Sequence, residues 1–130
     1  RLPGRGRSRL DMFHRLDDVV RRLAAACRVG DIAAVREVLD PAAVALCDGG
    51  GVVPAPRTPI NGAEAVAELI VGLLCGRPGT EVTVVQINGR DGLLFTGERR
   101  PVAVVAVVTD DARVCALWIV LNPAKLRGWS

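Results

Sequence analysis

The residues best suited to chemistry gather in CDGGGVVPAPRTPINGAE, residues 47–64, where Asp48 precedes Gly49, Gly50 and Gly51 and three prolines follow. A glycine run can cradle a phosphate when its N–H groups converge on the anion and a helix starts directly afterwards. Here Pro54, Pro56 and Pro59 remove donors and oppose a helix, and no Lys-Ser or Lys-Thr follows the last glycine. A nucleotide loop is rejected on that ground. Gly4-Arg5-Gly6 is no dinucleotide fingerprint either, because it lacks a third glycine and follows no strand. The stretch reads as a flexible corner, with Asp48 its one candidate for acid–base chemistry.

An acid or base in a sheet-and-helix fold works from an apolar pocket, where desolvation tunes its pKa. Asp91, Glu98, Asp110 and Asp111 fall in or beside predicted turns, where solvated charge is the ordinary outcome. The single histidine, His14, precedes the first predicted helix and suits a surface or capping role. No Ser-His-Asp or Cys-His constellation can be assembled around it. For a ligand pocket the candidates are Gln86, Asn88 and Trp118. Gln86 is the one sizeable amide in an apolar strand, and is equally an outward edge position; Trp118 suits the core or an interface better than stacking on a ligand. Cys27, Cys47, Cys75 and Cys115 share no close C-x-x-C spacing and lie in apolar stretches. They are expected to be reduced, buried thiols, with no metal site and no cofactor.

The elements that position these residues follow from periodicity. Leu16, Val19, Val20, Leu23, Ala24 and Cys27 form one helical stripe, Gly30 suits its C-terminal cap, and Asp31 suits the N-cap of a second helix carrying Ile32, Val35, Val38 and Leu39. Pro41 should stop that helix, and AVALC, 43–47, reads as a short strand running into the glycines. Asn61 with Glu64 resembles a capping box for a third helix, striped by Val66, Leu69, Ile70, Leu73 and Leu74 and ended by Gly76 and Pro78. Strands are predicted over 81–88, 92–96, 100–109 and 112–122, with turns at Asn88-Gly89, Gly97 and Asp110-Asp111.

Helices first and consecutive strands afterwards predict an α+β fold, an antiparallel sheet with its helices on one face. The last two strands are apolar on both faces. The uncovered face, carrying either Val114, Ala116, Trp118 and Val120 or Cys115, Leu117, Ile119 and Leu121, is expected to meet a second copy of the chain. The alternative is a sheet curled tightly enough to bury both faces in one monomer.

Composition bounds the rest. At 130 residues the chain is one domain's worth, and the net charge of +3 is located in residues 1–9, which carry four arginines and no acid. That Gly/Pro/Arg segment is expected to be a solvated tail or inter-domain linker over 1–10, with a single domain over 11–130. No apolar run reaches a membrane span and no signal peptide follows the basic start, so a cytoplasmic protein with no membrane contact is expected.

This order of elements resembles the cone-shaped fold of the nuclear transport factor two-like superfamily. Several short motifs resemble its SnoaL-like branch, in particular the C-terminal domain of SigJ-type extracytoplasmic-function RNA polymerase sigma factors. The matching pieces are RGRSRLDMF, GDIAAVREVLDPAAVALCDGGG, INGAEAVAELIVGLL, INGRDGLLF and IVLNPAKL, spread over about residues 7 to 127. The resemblance implies a cone-shaped curved sheet with three helices on its concave face, and a regulatory module that contacts sigma regions or RNA polymerase. Its implied regulatory motifs are Asp48, Gly49, Gly50 and Gly51, and Asn122, Pro123, Lys125 and Leu126. Two departures remove charge: Val52 stands where the family usually has Lys, and Ala124 where it usually has Asp.

No helix-turn-helix pair or basic recognition helix is legible, so sequence-specific nucleic-acid binding is not expected. The expected function is therefore non-catalytic, through protein contacts in transcription regulation. The alternative is a small-molecule binder or enzyme of the polyketide cyclase or isomerase type, holding a small hydrophobic ligand.

Overall fold

A computed structural model describes residues 9–51, 55–75 and 79–127, with the backbone alone for 9–17 and 124. Its first helix, α1 (Arg9–Val29), buries the stripe Val19, Val20, Leu23, Ala24 and Cys27. His14 thus lies inside this helix, not before it, because the helical segment begins at Arg9. Gly30 closes α1 with φ 75°, its N–H donating to the Ala26 carbonyl at 2.9 Å. Asp31 caps α2 (Ile32–Val38), its Oδ1 accepting from the Ala33 N–H at 2.9 Å and the Ala34 N–H at 3.4 Å. Such a cap stabilises by about 1 kcal/mol.

The second helix ends before Leu39, which is extended and opens β1 (Leu39–Asp48). Pro41, expected to stop a helix, therefore sits within a strand. It is tolerated because the pairing of β1 is irregular between Leu39 and Val44, so no ladder hydrogen bond is needed from it.

A two-residue strand, β2 (Ile60–Asn61), pairs antiparallel with β1 and leads into α3 (Ala63–Leu74). The capping box does not form. Asn61 is held in the sheet opposite Val44, so Gly62 takes the N-cap place with φ 96° and no side-chain cap. Its N–H donates instead to the Ala43 carbonyl at 2.8 Å. Helix α3 buries Val66, Ala67, Ile70 and Leu74, and Cys75 forms its C-cap; Gly76 and Pro78 lie outside the described residues.

Four strands then follow as predicted: β3 (Thr80–Ile87), β4 (Arg90–Gly97), β5 (Arg100–Asp110) and β6 (Arg113–Val120). A one-turn helix, α4 (Pro123–Leu126), follows them. The hairpin at Asn88-Gly89 has positive φ at both residues, 51° and 80°. The next hairpin turns at Glu98-Arg99, also both positive, and Gly97 pairs with Arg100 as a strand residue. The third turns at Asp111-Ala112, with Asp110 paired to Arg113.

The six strands form one curved sheet in the order β2-β1-β6-β5-β4-β3. It is mixed, not purely antiparallel. Strand β1 runs parallel to β6, Val44 opposite Ala116 through Asp48 opposite Val120. Parallel neighbours need a long crossover, and here α3 and four strands intervene. The helices cover one face, over a core that includes Leu93, Phe95, Leu117 and Ile119, each at most 2% exposed. Burial of each such side chain stabilises by roughly 1.5–3 kcal/mol.

Of the two alternative outer sets, the structure turns the Trp118 set outward, with Trp118 exposed and Ala116 and Val120 half-buried, and with one exception. Val114 is fully buried, because an irregularity between Val108 and Thr109 gives β6 an extra residue and returns Val114 to the core. Among the described residues, no helix is long and apolar enough to cross a membrane.

Candidate functional site

The parallel pairing sets Asp48 and Val120 side by side, with the Leu121 N–H donating to the Asp48 carbonyl at 2.7 Å. The two motif segments that follow β1 and β6 therefore leave the sheet together. Asp48 begins the first. Its Oδ1 accepts from the Gly50 N–H at 3.0 Å, the local turn that an Asp readily makes with a residue two positions on. Its Oδ2 accepts from Lys125 Nζ at 2.5 Å, across 77 positions of sequence.

Lys125 is delivered by α4, which starts after Asn122. The Asn122 carbonyl accepts from the Lys125 N–H at 3.0 Å and the Leu126 N–H at 3.1 Å, while Leu126 is buried and anchors the turn. Gly50 lies against the Asn122 side chain so closely that an added Cβ would fall 2.5 Å from Cγ. Asp48, Gly50, Asn122, Lys125 and Leu126 thus form one clasp. Gly49 and Gly51 flank it on the same loop, and Pro123 starts α4. Val52 lies outside the described residues, and only the backbone of Ala124 is described.

The electrostatics of the clasp favour a fixed charge. The Lys125 hydrogen bond, helped by the Gly50 N–H, holds the Asp48 carboxyl below the usual carboxylate range against a smaller desolvation effect. A carboxylate so stabilised is a weaker proton acceptor. It is suited to holding a shape.

Beside the clasp lies an open groove of about 590 Å³, bounded by Leu46, Asp48, the three glycines, Arg57 and Trp118. Trp118 and Leu46 are cross-strand neighbours on the outer sheet face and are 52% and 46% exposed; Val108, on β5, is 42% exposed. Ala106 and Ala116 are on this face too, placed there by the registers Ala106 opposite Trp118 and Val44 opposite Ala116.

The other pocket candidates lie elsewhere. Asn88 is in the β3–β4 turn, and Gln86, exposed near the end of the edge strand β3, hydrogen-bonds to Asp91. The register running Trp118, Ala106, Gly92, Val85 puts Gln86 on the opposite face from Trp118. The three residues do not share a cavity. Among the described residues no polar or charged residue is buried, and no group of three or more His, Cys, Asp or Glu could hold a metal ion. Cys27 and Cys75 are buried as expected, but Cys47 and Cys115 are only half-buried, near the end of β1 and at the β6 irregularity.

Sequence reasoning missed Leu46, Val108 and Arg57 as parts of this surface. It grouped the two motifs as one regulatory surface only through the family resemblance, with no physical account of what joins them. The available signal was that each follows the end of a long apolar strand, which only the β1–β6 pairing turns into proximity.

The comparisons with known proteins bear on the fold. The chain is 31% identical over 123 residues to the extracytoplasmic-function RNA polymerase sigma factor SigJ of Mycobacterium tuberculosis (strain ATCC 25618 / H37Rv), across 86% of this chain and 39% of that protein. It therefore spans well under half the length of the relative it matches. The crystal structure of SigJ superposes with a TM-score of 0.67 at 26% identity, covering 88% of this chain and 44% of the other. The chain is a SnoaL-like domain of the nuclear transport factor two-like superfamily.

Two further structures share the fold. An NTF2-like protein of unknown function from Burkholderia xenovorans LB400 matches with a TM-score of 0.62 and 18% identity, over 91% of each chain. A SnoaL-like protein from Jannaschia sp. CCS1 matches with a TM-score of 0.61 and 18% identity, over 88% of this chain and 90% of the other. No family model matches the chain.

Proposed function

We propose that this SnoaL-like domain is a non-catalytic regulatory module that acts through protein contacts, in association with an extracytoplasmic-function sigma factor or as part of one. The observation that carries this reading is the Asp48–Lys125 ion pair, which joins the two motifs into one surface element. The similarity to SigJ gives the context. The partner is a sigma region or RNA polymerase, met by the clasp and by the exposed apolar residues Leu46, Trp118 and Val108 beside it. The same outer face is the one a homodimer would cover, so the two associations compete for Trp118.

The test is co-purification with isolated sigma regions and with core RNA polymerase at micromolar concentration. Retention that is lost in Asp48→Ala and Lys125→Ala variants supports the reading, and no retention by the wild-type chain removes it. The small-molecule reading predicts a different outcome, reproducible thermal stabilisation by hydrophobic ring compounds.

A further inference from the structure

A second groove, of about 510 Å³, opens where α4 meets the start of β5, and it shares no lining residue with the groove beside the clasp. The strand gives it Arg100, Pro101 and Val102. The segment running from β6 through α4 gives it Leu121, Pro123, Leu126 and Arg127. The fold makes this recess by turning α4 back against β5. Val104, on the outer face opposite Val120, and Leu126 are both buried although neither belongs to the main core cluster. Strand β5 starts further out, at Arg100, and the step between strand and helix stays open.

The recess combines an apolar floor with a cationic rim. Leu121 and Leu126 are buried beneath it, Pro101 and Val102 are half-buried and Pro123 is exposed, so apolar surface is left facing solvent. Arg100 and Arg127 are exposed, and no acid stands among the described lining residues. Arg100 has no ion-pair partner among the described residues. A guanidinium at such a place pairs with a carboxylate through two parallel hydrogen bonds, and it does so beside apolar surface at less hydration cost than an ammonium.

We propose that this groove docks an acidic segment of a partner protein, with an apolar side chain of the segment seated on Pro101, Val102 and Pro123 and its flanking carboxylates on Arg100 and Arg127. Charge complementarity selects the acidic partner, and the apolar floor selects a peptide among acidic partners. A small molecule fits less well, because small-molecule sites bury most of their ligand and this groove is open along one side. A nucleic acid would bring the negative charge, but no aromatic ring lines the groove for a base to stack on. The site stands apart from Asp48 and Trp118, so peptide docking here holds whether or not sigma regions or polymerase are retained at the clasp.

The test is fluorescence anisotropy of the full chain with a fluorescein-labelled peptide, Glu-Asp-Leu-Leu-Asp-Glu amide, as the probe. The expected result is saturable binding that weakens as salt is raised, and that is lost both when the leucines become serine and when the acids become their amides. Arg100→Glu should weaken binding about tenfold. Val102→Thr, which keeps the side-chain shape, should weaken it about threefold. Arg90→Glu makes the same charge change at the opposite end of β4 and should leave binding unchanged. The proposal is overturned if the peptide does not saturate, if the serine peptide or an oligothymidylate binds as well as the leucine peptide, or if Arg90→Glu weakens binding as much as Arg100→Glu. It is overturned equally if Arg100→Glu abolishes self-association in light scattering while the peptide binds neither protein, since the occupant is then a second copy. If Arg100→Glu does not fold, Val102→Thr and the peptide variants decide in its place.

Discussion

Gly50 is constrained twice: its φ of 64° disfavours any side chain, and the Asn122 side chain occupies the space a Cβ would need. Gly51 is constrained once, with φ 76° and open space around it. Gly50→Ala should therefore destabilise more than Gly51→Ala, which carries only the left-handed cost of about 1–2 kcal/mol; urea denaturation of the two variants measures the difference. Asp48 is the second residue with a sharp expectation. Its folded carboxyl is held below its ordinary value of 3.8, so its stabilising contribution is present above that value and is lost as pH falls through the folded pKa. Carboxyl NMR should find Asp48 titrating at higher pH in Lys125→Met than in the wild type, and the stability gap between the two proteins should close in acid. Both residues were legible as members of a motif. Their physical roles were not, because Lys125 and Asn122 are remote in sequence and only the fold brings them to Asp48 and Gly50.

At the scale of elements, stripes and apolar runs located the three main helices and the four consecutive strands β3 to β6, while β1 was read only over 43–47 of its Leu39–Asp48 span. Errors arose where backbone pairing overrode a local signal. Asn61 has the chemistry of a cap but is held by β2, and Pro41 has the chemistry of a helix stop but falls in an unpaired part of β1. The β4–β5 turn shows the reverse conflict. Glu98 and Arg99 both have positive φ, 52° and 67°, although neither residue favours it. Replacing Arg99 by Gly should stabilise the chain by about 1 kcal/mol, read as a shift in urea midpoint with unchanged slope. Asp31→Ala should destabilise by a similar amount through loss of the α2 cap.

At the scale of the whole molecule, the sheet has one face committed to the core and one carrying an exposed apolar strip. The sequence indicated that a second apolar face existed, but not which residues formed it, because the irregularity that buries Val114 shifts the alternation partway along β6. Trp118→Arg should leave the thermal midpoint nearly unchanged, since the side chain is half in solvent, while weakening partner retention or self-association; light scattering and co-purification separate those two outcomes. The parallel contact between β1 and β6 also has a kinetic meaning. It joins segments remote in sequence, Val44 to Asp48 with Ala116 to Val120, so a large loop must close before Asp48 can meet Lys125. If the clasp closes after the main folding barrier, Lys125→Ala should speed unfolding far more than it slows folding, as stopped-flow measurements would show. The clasp would then be a completion signal: a chain that had folded only as far as its helices and hairpins would offer a partner nothing to bind there.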